Sequence, residues 1–362
     1  MGFSCGLVGL PNAGKSTIIN ALSNAGARVE NYPFCTIEAN VGSVSVPDER
    51  LDRLAALFPE KRKVYTHLDF VDIAGLVAGA SEGEGMGNQF LAEIRAVDAI
   101  AHVVRCFESP DVAHVTGTLD PIRDIEVVEA ELLLKDLETL TRVAHRLHQE
   151  AKGKERSAPA RAEACDRLLA YVAEGKPIRR VDHDALLDDI LIETSPLTAK
   201  PSLLVANVGD SPVESFVRAV QSAADERETE CVVIRGRLEA EIGEVASTLE
   251  ERATYLAEYG LETTGLSGLV LAGYRALGLI TFFTIEGPEV RAWTVPEGTQ
   301  APAAGGRIHS DFADRFIAAD VFDLDELETC GSEKALREAG KLHRAGHDYI
   351  VRDGDVLRLI CA

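Results

Sequence analysis

Gly9-Leu-Pro-Asn-Ala-Gly14-Lys15-Ser16 combines two glycines, a lysine and a hydroxyl at the spacing of a phosphate-binding loop. Glycines let a backbone curl until several N–H groups point at one anion, and a helix start adds its positive dipole end. Asn12, Ala13, Gly14, Lys15, Ser16 and Thr17 are therefore the expected phosphate cradle. Lys15 reaches the β- and γ-phosphates, and the Ser16 hydroxyl ligates Mg²⁺. The apolar run Phe3–Val8 before the loop and the helix-like stretch Thr17–Leu22 after it supply the strand–loop–helix setting that the pattern requires. A glycine-rich turn without ligand is the bland alternative. Lys15 is expected to be a surface ammonium at the sheet edge, with little part in stability.

A second group of residues could complete the chemistry. His67-Leu-Asp-Phe-Val-Asp72 reads as a strand ending in an acid, followed by Ile-Ala-Gly75. Asp72 fits the Mg²⁺-side carboxylate of a P-loop nucleoside triphosphatase, and Gly75 can turn its N–H to the γ-phosphate. Asp-x-x-Gly is weak alone but strong at this distance behind a phosphate loop. Between them, Asn31-Tyr-Pro-Phe-Cys-Thr36 is turn-rich and ends in a hydroxyl. Thr36 could close over Mg²⁺ as a switch residue does; an ordinary loop threonine fits the local sequence as well. Phosphoryl transfer needs positioning and charge neutralisation more than covalent chemistry from the protein. Lys15, Ser16, Thr36, Asp72 and Mg²⁺ would supply both. Leu76 stands where many GTPases place a water-orienting Gln, so slow turnover is expected.

For the base, Asn207-Val208-Gly209-Asp210 approximates the guanine-binding pattern N-K-x-D. Val208 lacks the lysine stem that stacks on the base, whereas Asp210 could accept from guanine N1 and N2. Ile234-Arg-Gly-Arg-Leu238 would form the other base loop. Local chemistry leaves ATP, GTP and dual use open.

The elements that must hold these residues follow from periodicity. Phe3–Val8, Ala39–Val46, Leu68–Asp72 and Ala99–Cys106 read as strands, and Thr17–Ala25 and Asn88–Val97 as helices, giving an α/β domain with a mainly parallel sheet. From Pro121 the period changes: Ala130, Leu133, Leu137, Leu140, Ala144 and Leu147 form a heptad seam on a long helix. After the break Lys152–Pro159 a second helical stretch presents Cys165, Leu168 or Leu169, and Val172. Either the two helices fold back as an antiparallel arm or both pack on the main domain. Strand patterns return at Pro201–Asn207 and Glu230–Ile234, so this helical stretch is an insertion. Thr281–Ile285, Val290–Val295, Phe316–Phe322 and Tyr349–Val351 read as strands of a small α+β module. The expected division is 1–120 with 200–278 as the nucleotide domain, 121–199 as an inserted helical arm, and 279–362 as the last module.

The chain has 362 residues, 46% hydrophobic and 27% charged, which is a globular balance with room for two or three domains. Its net charge of −22 excludes broad, sequence-independent nucleic-acid binding. Residues 279–362 carry nine Lys/Arg against fifteen Asp/Glu and form no basic patch. The arm tip, with Lys152, Lys154, Arg156 and Arg161 against Glu155, is the best electrostatic candidate for an RNA contact, a solvated turn being the alternative. No apolar run approaches a membrane span and no signal peptide is evident, so a cytoplasmic monomer without membrane contact is expected. Seven cysteines without paired spacing fit a reducing compartment. Cys5 and Cys106 read as packing residues. Cys35, in the switch segment, is either redox-sensitive or inert.

Taken with Gly6–Thr17, Asn31–Glu38, Asp72–Val77, Gly83-Glu-Gly-Met-Gly-Asn-Gln-Phe90 and His102-Val-Val-Arg-Cys-Phe107, the chain resembles the YchF type of Obg-related P-loop NTPases, the Obg-like ATPases. The likeness continues through Glu289–Thr294, Ile308–Asp311 and Lys341–Asp355, nearly the whole length. It implies a G domain with a helical arm, a C-terminal TGS domain, and a translation or stress-regulatory role on the ribosome. It also implies a preference for ATP, from which Asp210 departs because the family typically has Glu there. A catalytic His in the loop after the fourth strand falls on His114, while His102, inside a strand, is read as packing. A nucleotide-gated binding protein with incidental hydrolysis is the rival function.

Overall fold

A computed structural model of the chain describes residues 2–27, 41–73, 92–108, 118–152, 158–182, 184–246, 249–261 and 263–362. Strand β1 is Phe3–Val8, and its last four residues are buried. It runs through the glycine-rich turn into α1 (Lys15–Ala27). Strands β2 (Val41–Ser45) and β4 (His67–Asp72) flank an excursion containing α2 (Glu49–Leu57) and β3 (Arg62–Val64). Strands β5 (Ala99–Cys106), β6 (Ser202–Val208) and β7 (Cys231–Ile234) complete a sheet of order β2-β4-β1-β5-β6-β7. β1, β5, β6 and β7 are joined in parallel. All eight residues of β5 are buried, as a central parallel strand covered on both faces requires. β1 is an interior strand, so the phosphate loop does not lie at the sheet edge.

The chain divides into two compact units, Met1–Ser43 with Asp69–Gly273, and Val44–Leu68 with Tyr274–Ala362.

In the first unit, α3 (Pro121–Glu150) starts at Asp120, whose side chain caps Arg123 N, with Pro121 in the first turn. Its thirty residues span about 45 Å. The buried stripe is Ile125, Val128, Leu132, Asp136, Leu140, Ala144 and Leu147. The expected seam holds from Leu140 onward. Leu133 and Leu137 only flank it, and Ala130 is exposed. The reason is that α3 serves two cores. Val128 and Leu132 pack with Val8, Leu10, Ile73 and Ile100 of the sheet. Leu140, Ala144 and Leu147 pack with Cys165 and Leu168 of α4 (Ala158–Ala173) and with Leu187 and Ile190 of α5 (Ala185–Thr194). Both readings of the helical insertion therefore apply, each to one half of α3, and the arm has a third helix that periodicity did not separate.

Asp136 sits where the two halves meet. Its carboxylate, 2% exposed, accepts from Leu197 N at 2.7 Å, Thr198 N at 2.8 Å and Thr198 Oγ1 at 2.7 Å. Burial raises its pKa even against those three donors. Asp136→Ala would leave two buried N–H groups and a hydroxyl without their acceptor. The expected loss is about 2–4 kcal/mol in urea unfolding at unchanged m, with Asp136→Asn losing less. A loss below ~1 kcal/mol would show that this latch does not hold the arm.

α6 (Glu214–Glu226), α7 (Gly236–Val245), α8 (Leu249–Glu258) and α9 (Gly265–Ala276) as far as Gly273 finish the first unit. The second contains β8 (Leu279–Glu286), β9 (Glu289–Pro296), α10 (Ala301–Ile308), α11 (Ser310–Asp314), β10 (Phe316–Phe322), α12 (Leu324–Cys330), α13 (Glu333–Glu338), β11 (His343–Ala345) and β12 (Val356–Cys361). Its sheet order is β11-β10-β12-β8-β9-β3. One face buries Ile280, Phe282 and Val295 against Ala301 and Ala304. The other buries Phe283, Val290 and Phe322 against Leu51 and Leu54 of α2. Residues 44–68, expected in the nucleotide domain, therefore belong to the second unit. β3 pairs in parallel with β9, and Arg50 bonds Asp353 at 2.7 Å. Tyr349–Val351 is not a strand. Ile350 makes one bridge to Gln300, and the pairing runs instead through His343–Ala345 and Val356–Cys361.

Candidate functional site

The turn between β1 and α1 has the backbone of an anion cradle. Asn12 and Gly14 take φ of 65° and 97°. A Cβ on Gly14 would lie 2.1 Å from Asn207 Nδ2, and one on Gly9 would lie 2.4 Å from Val103 O. Both glycines are thus fixed by close approach, and Gly14 also by its left-handed backbone. Helix α1 opens at once, with Ile18 N on Gly14 O at 3.1 Å.

Lys15 is 7% exposed, not the surface ammonium expected. Its Nζ donates to Gly9 O at 3.0 Å and Leu10 O at 3.3 Å, carbonyls of the loop itself. Burial lowers its pKa and the Asp72 carboxylate opposes that. The ammonium is thereby stored beside the cradle. Ser16 Oγ donates to Asp72 Oδ2 at 2.7 Å across fifty-six positions of sequence. The two residues read as Mg²⁺ ligands on separate evidence are in contact. One hydroxyl and one carboxylate suit Mg²⁺, which takes few protein ligands and leaves the rest to phosphate oxygens and water.

Asn207 joins this loop to the base side. It is 4% exposed, its Nδ2 donates to Ala13 O at 2.9 Å, and its Oδ1 accepts from Gly236 N at 3.1 Å. These two bonds use one of the two Nδ2 hydrogens. Gly236, at the start of α7, lies in the stretch Ile234–Leu238 read as the other base loop, and its contact with Asn207 is a tertiary one that the sequence did not single out. A Cβ there would meet Asn207 Oδ1 at 3.0 Å. Asp210 is exposed. Val208 is 2% exposed and packs with Val104, Cys106, Val217 and Val220. Neighbouring residues of a strand point to opposite faces, so Val208 is a core residue and not the base contact expected of it.

His102 is 5% exposed and pushed down to about 3, by burial first and then by Arg227, Lys15 and Arg179. It is neutral at physiological pH and acts as packing. Cys5 and Cys106 are buried with thiols pushed up to about 12, chiefly by desolvation, which removes thiolate reactivity. Arg161 is drawn from the basic arm tip onto Glu193 at 2.7 Å, where Arg146 also bonds, while Lys152 is exposed. Thr36, Gly75, Leu76, His114, Cys35, Lys154 and Arg156 lie outside the described residues. Among the described residues no helix is long and apolar enough to cross a membrane.

Comparison with known proteins agrees with this geometry. A family described as "50S ribosome-binding GTPase" matches residues 4–133, and YchF-GTPase_C, described as a protein of unknown function, matches residues 279–361. The Ribosome-binding ATPase YchF of Escherichia coli O157:H7 is 44% identical over 362 residues, covering 99% of both chains. That of Bacillus subtilis (strain 168) is 43% identical over 363 residues, covering 99% of this chain and 98% of its own. The solved Schizosaccharomyces pombe YchF GTPase superposes with a TM-score of 0.87 at 33% identity, covering 99% of this chain and 97% of its own. A GTP binding protein from Pyrococcus horikoshii OT3 shares the fold, with a TM-score of 0.61 at 18% identity over 99% of this chain and 100% of its own.

Proposed function

The chain belongs to the YchF family of P-loop nucleoside triphosphatases, and from that membership we propose a slow, Mg²⁺-dependent switch that binds the ribosome in the cytoplasm and hydrolyses ATP in preference to GTP. The observation that carries the reading is the Ser16–Asp72 contact at 2.7 Å beside a buried Lys15. Mg²⁺ bound there would neutralise phosphate charge. The chain's own part is to hold and orient: Ser16 and Asp72, with Thr36, as ligands, Lys15 and the loop N–H groups on the phosphates, Gly75 on the γ-phosphate. Asn207 would hold the base side in register with the loop. His114 would act on the attacking water. Lys152, Lys154 and Arg156 would give a small basic contact for ribosomal RNA, without Arg161.

Single-turnover hydrolysis of ATP with Mg²⁺, with and without purified ribosomes, tests the reading. Acceleration by ribosomes supports it; no acceleration with unchanged binding would favour a nucleotide-gated binding protein. His114→Ala should lower kcat about 10²-fold while nucleotide affinity stays within about threefold, because a group that acts on the transition state changes rate more than binding. A parental rate in that variant would make His114 a loop residue only.

Base preference is open to direct measurement. Calorimetry should give tighter ADP than GDP binding, with GDP binding still measurable because Asp210 can accept from guanine. GDP tighter by about tenfold, or 1.4 kcal/mol, would make the chain a GTPase within this family.

A further inference from the structure

Glu239 is an acid that the phosphate chemistry leaves unused, and it is 5% exposed. It lies in the first turn of α7, the turn that Gly236 opens, and its N–H donates to Arg235 O at 2.9 Å. Its side chain reaches another helix. Oε1 accepts from Gly265 N and, at 3.3 Å, from Leu266 N, the N–H groups that open α9. Ser267 N goes to Thr264 Oγ1 at 2.9 Å. The opening N–H groups of α9 are thereby satisfied, two of them by a residue of α7, and a carboxylate suits the positive end of the α9 dipole. The approach is close on the other side as well. A Cβ on Gly265 would lie 2.9 Å from Glu239 Oε1, 2.9 Å from Val233 O and 3.0 Å from Ile234 Cα. The start of α9 therefore lies against the end of β7, where the chain enters residues 234–238.

Residues 234–238 are tied to the phosphate side at one residue. Gly236 N donates to Asn207 Oδ1 at 3.1 Å, and a Cβ on Gly236 would lie 3.2 Å from Ile18 Cγ1 of α1. One such point fixes where α7 begins but not the direction in which its first turn runs. A second attachment in the same turn fixes the direction, and the Glu239 tether to α9 supplies it. Misplacement by about 1 Å is enough to weaken a bound geometry. We infer that Glu239 is a positioning residue for nucleotide binding: by tying the first turn of α7 to the start of α9 it holds residues 234–238 in place at the base. The inference rests on the nucleotide-site reading above. Glu239 itself touches neither base nor phosphate in this role. Its loss should therefore weaken ground state and transition state alike, raising KM and sparing kcat.

The test is single-turnover ATP hydrolysis with Mg²⁺ by the full chain and its variants, read as half-saturating concentration and limiting rate, with calorimetry of ADP beside it. Glu239→Ala should raise the half-saturating concentration and the ADP Kd about tenfold, while the limiting rate stays within about twofold. Glu239→Gln keeps Oε1 as an acceptor and should stay within about threefold of the parent in every constant. Gly265→Ala, which pushes a methyl against Glu239 and the end of β7, should behave like Glu239→Ala. If Glu239 only caps α9, its alanine variant would lose stability to urea and keep parental half-saturation and ADP affinity. That result, or a limiting rate that falls as far as the affinity, would overturn the inference while leaving the nucleotide site standing. Should Glu239→Ala not fold, amide exchange in the parent decides. ADP should slow exchange in residues 234–239 and 264–267 together; slowing in neither, or in the first alone, would overturn the inference. A parent chain that binds neither ATP nor ADP would instead overturn the nucleotide-site reading, and the inference with it.

Discussion

Lys15→Ala should lower single-turnover hydrolysis by about 10²–10³-fold, the scale for removing one preorganised charge from a transition state. From this position an ammonium would span two phosphates, and α1 begins at Lys15 itself. Its present partners are the Gly9 and Leu10 carbonyls, weak acceptors that a triphosphate would displace. Those bonds also make the residue structural. At 7% exposure, losing it takes a donor from Gly9 O and one of two from Leu10 O, which keeps Ala13 N, and should cost about 1–2 kcal/mol in urea unfolding. Lys15→Met keeps the buried stem, so it should recover stability without recovering hydrolysis. A folded variant that turns over at the parental rate would mean that this loop does not hold the phosphates.

The site was legible where its signal is local. The phosphate loop needs two glycines, Lys15 and a hydroxyl within eight positions, and β1 before it is mostly apolar and buried over its last four residues. Asp72 was legible as the end of a strand, although its contact with Ser16 is a tertiary event. What stayed hidden depends on partners far along the chain. α2 carries a short amphipathic stripe, Leu51 and Leu54, but much of what buries it, Phe283, Val290 and Phe322 among others, lies more than two hundred positions later. The α3 stripe changes partner midway, so no single heptad frame describes it. Nothing in Asn-Val-Gly-Asp tells which face of β6 Val208 takes. The burial of Lys15 follows from β1 lying inside the sheet, a fact of strand order and not of the motif.

Replacing Asn207 should have the second large effect, because one amide serves three purposes. Nδ2 donates to Ala13 O at 2.9 Å and so fixes the phosphate loop; Oδ1 accepts from Gly236 N at 3.1 Å and so fixes the start of α7; the remaining Nδ2 hydrogen would serve the base. Asn207→Ala removes all three and leaves a buried carbonyl and a buried N–H unpaired. Nucleotide affinity should fall about 10²-fold, near 2.7 kcal/mol, with about 1–3 kcal/mol lost from folding. Asn207→Asp separates the parts. It can still accept from Gly236 N, but it loses the donor and turns a carboxylate on the Ala13 carbonyl. Its affinity should fall at least as far as that of the alanine variant, because the disturbed contact lies on the phosphate loop. If calorimetry found both variants within about threefold of the parent for ADP, the link between the two loops would be a feature of folding alone. Base and phosphate recognition would then have to be held in register by the helices on either side.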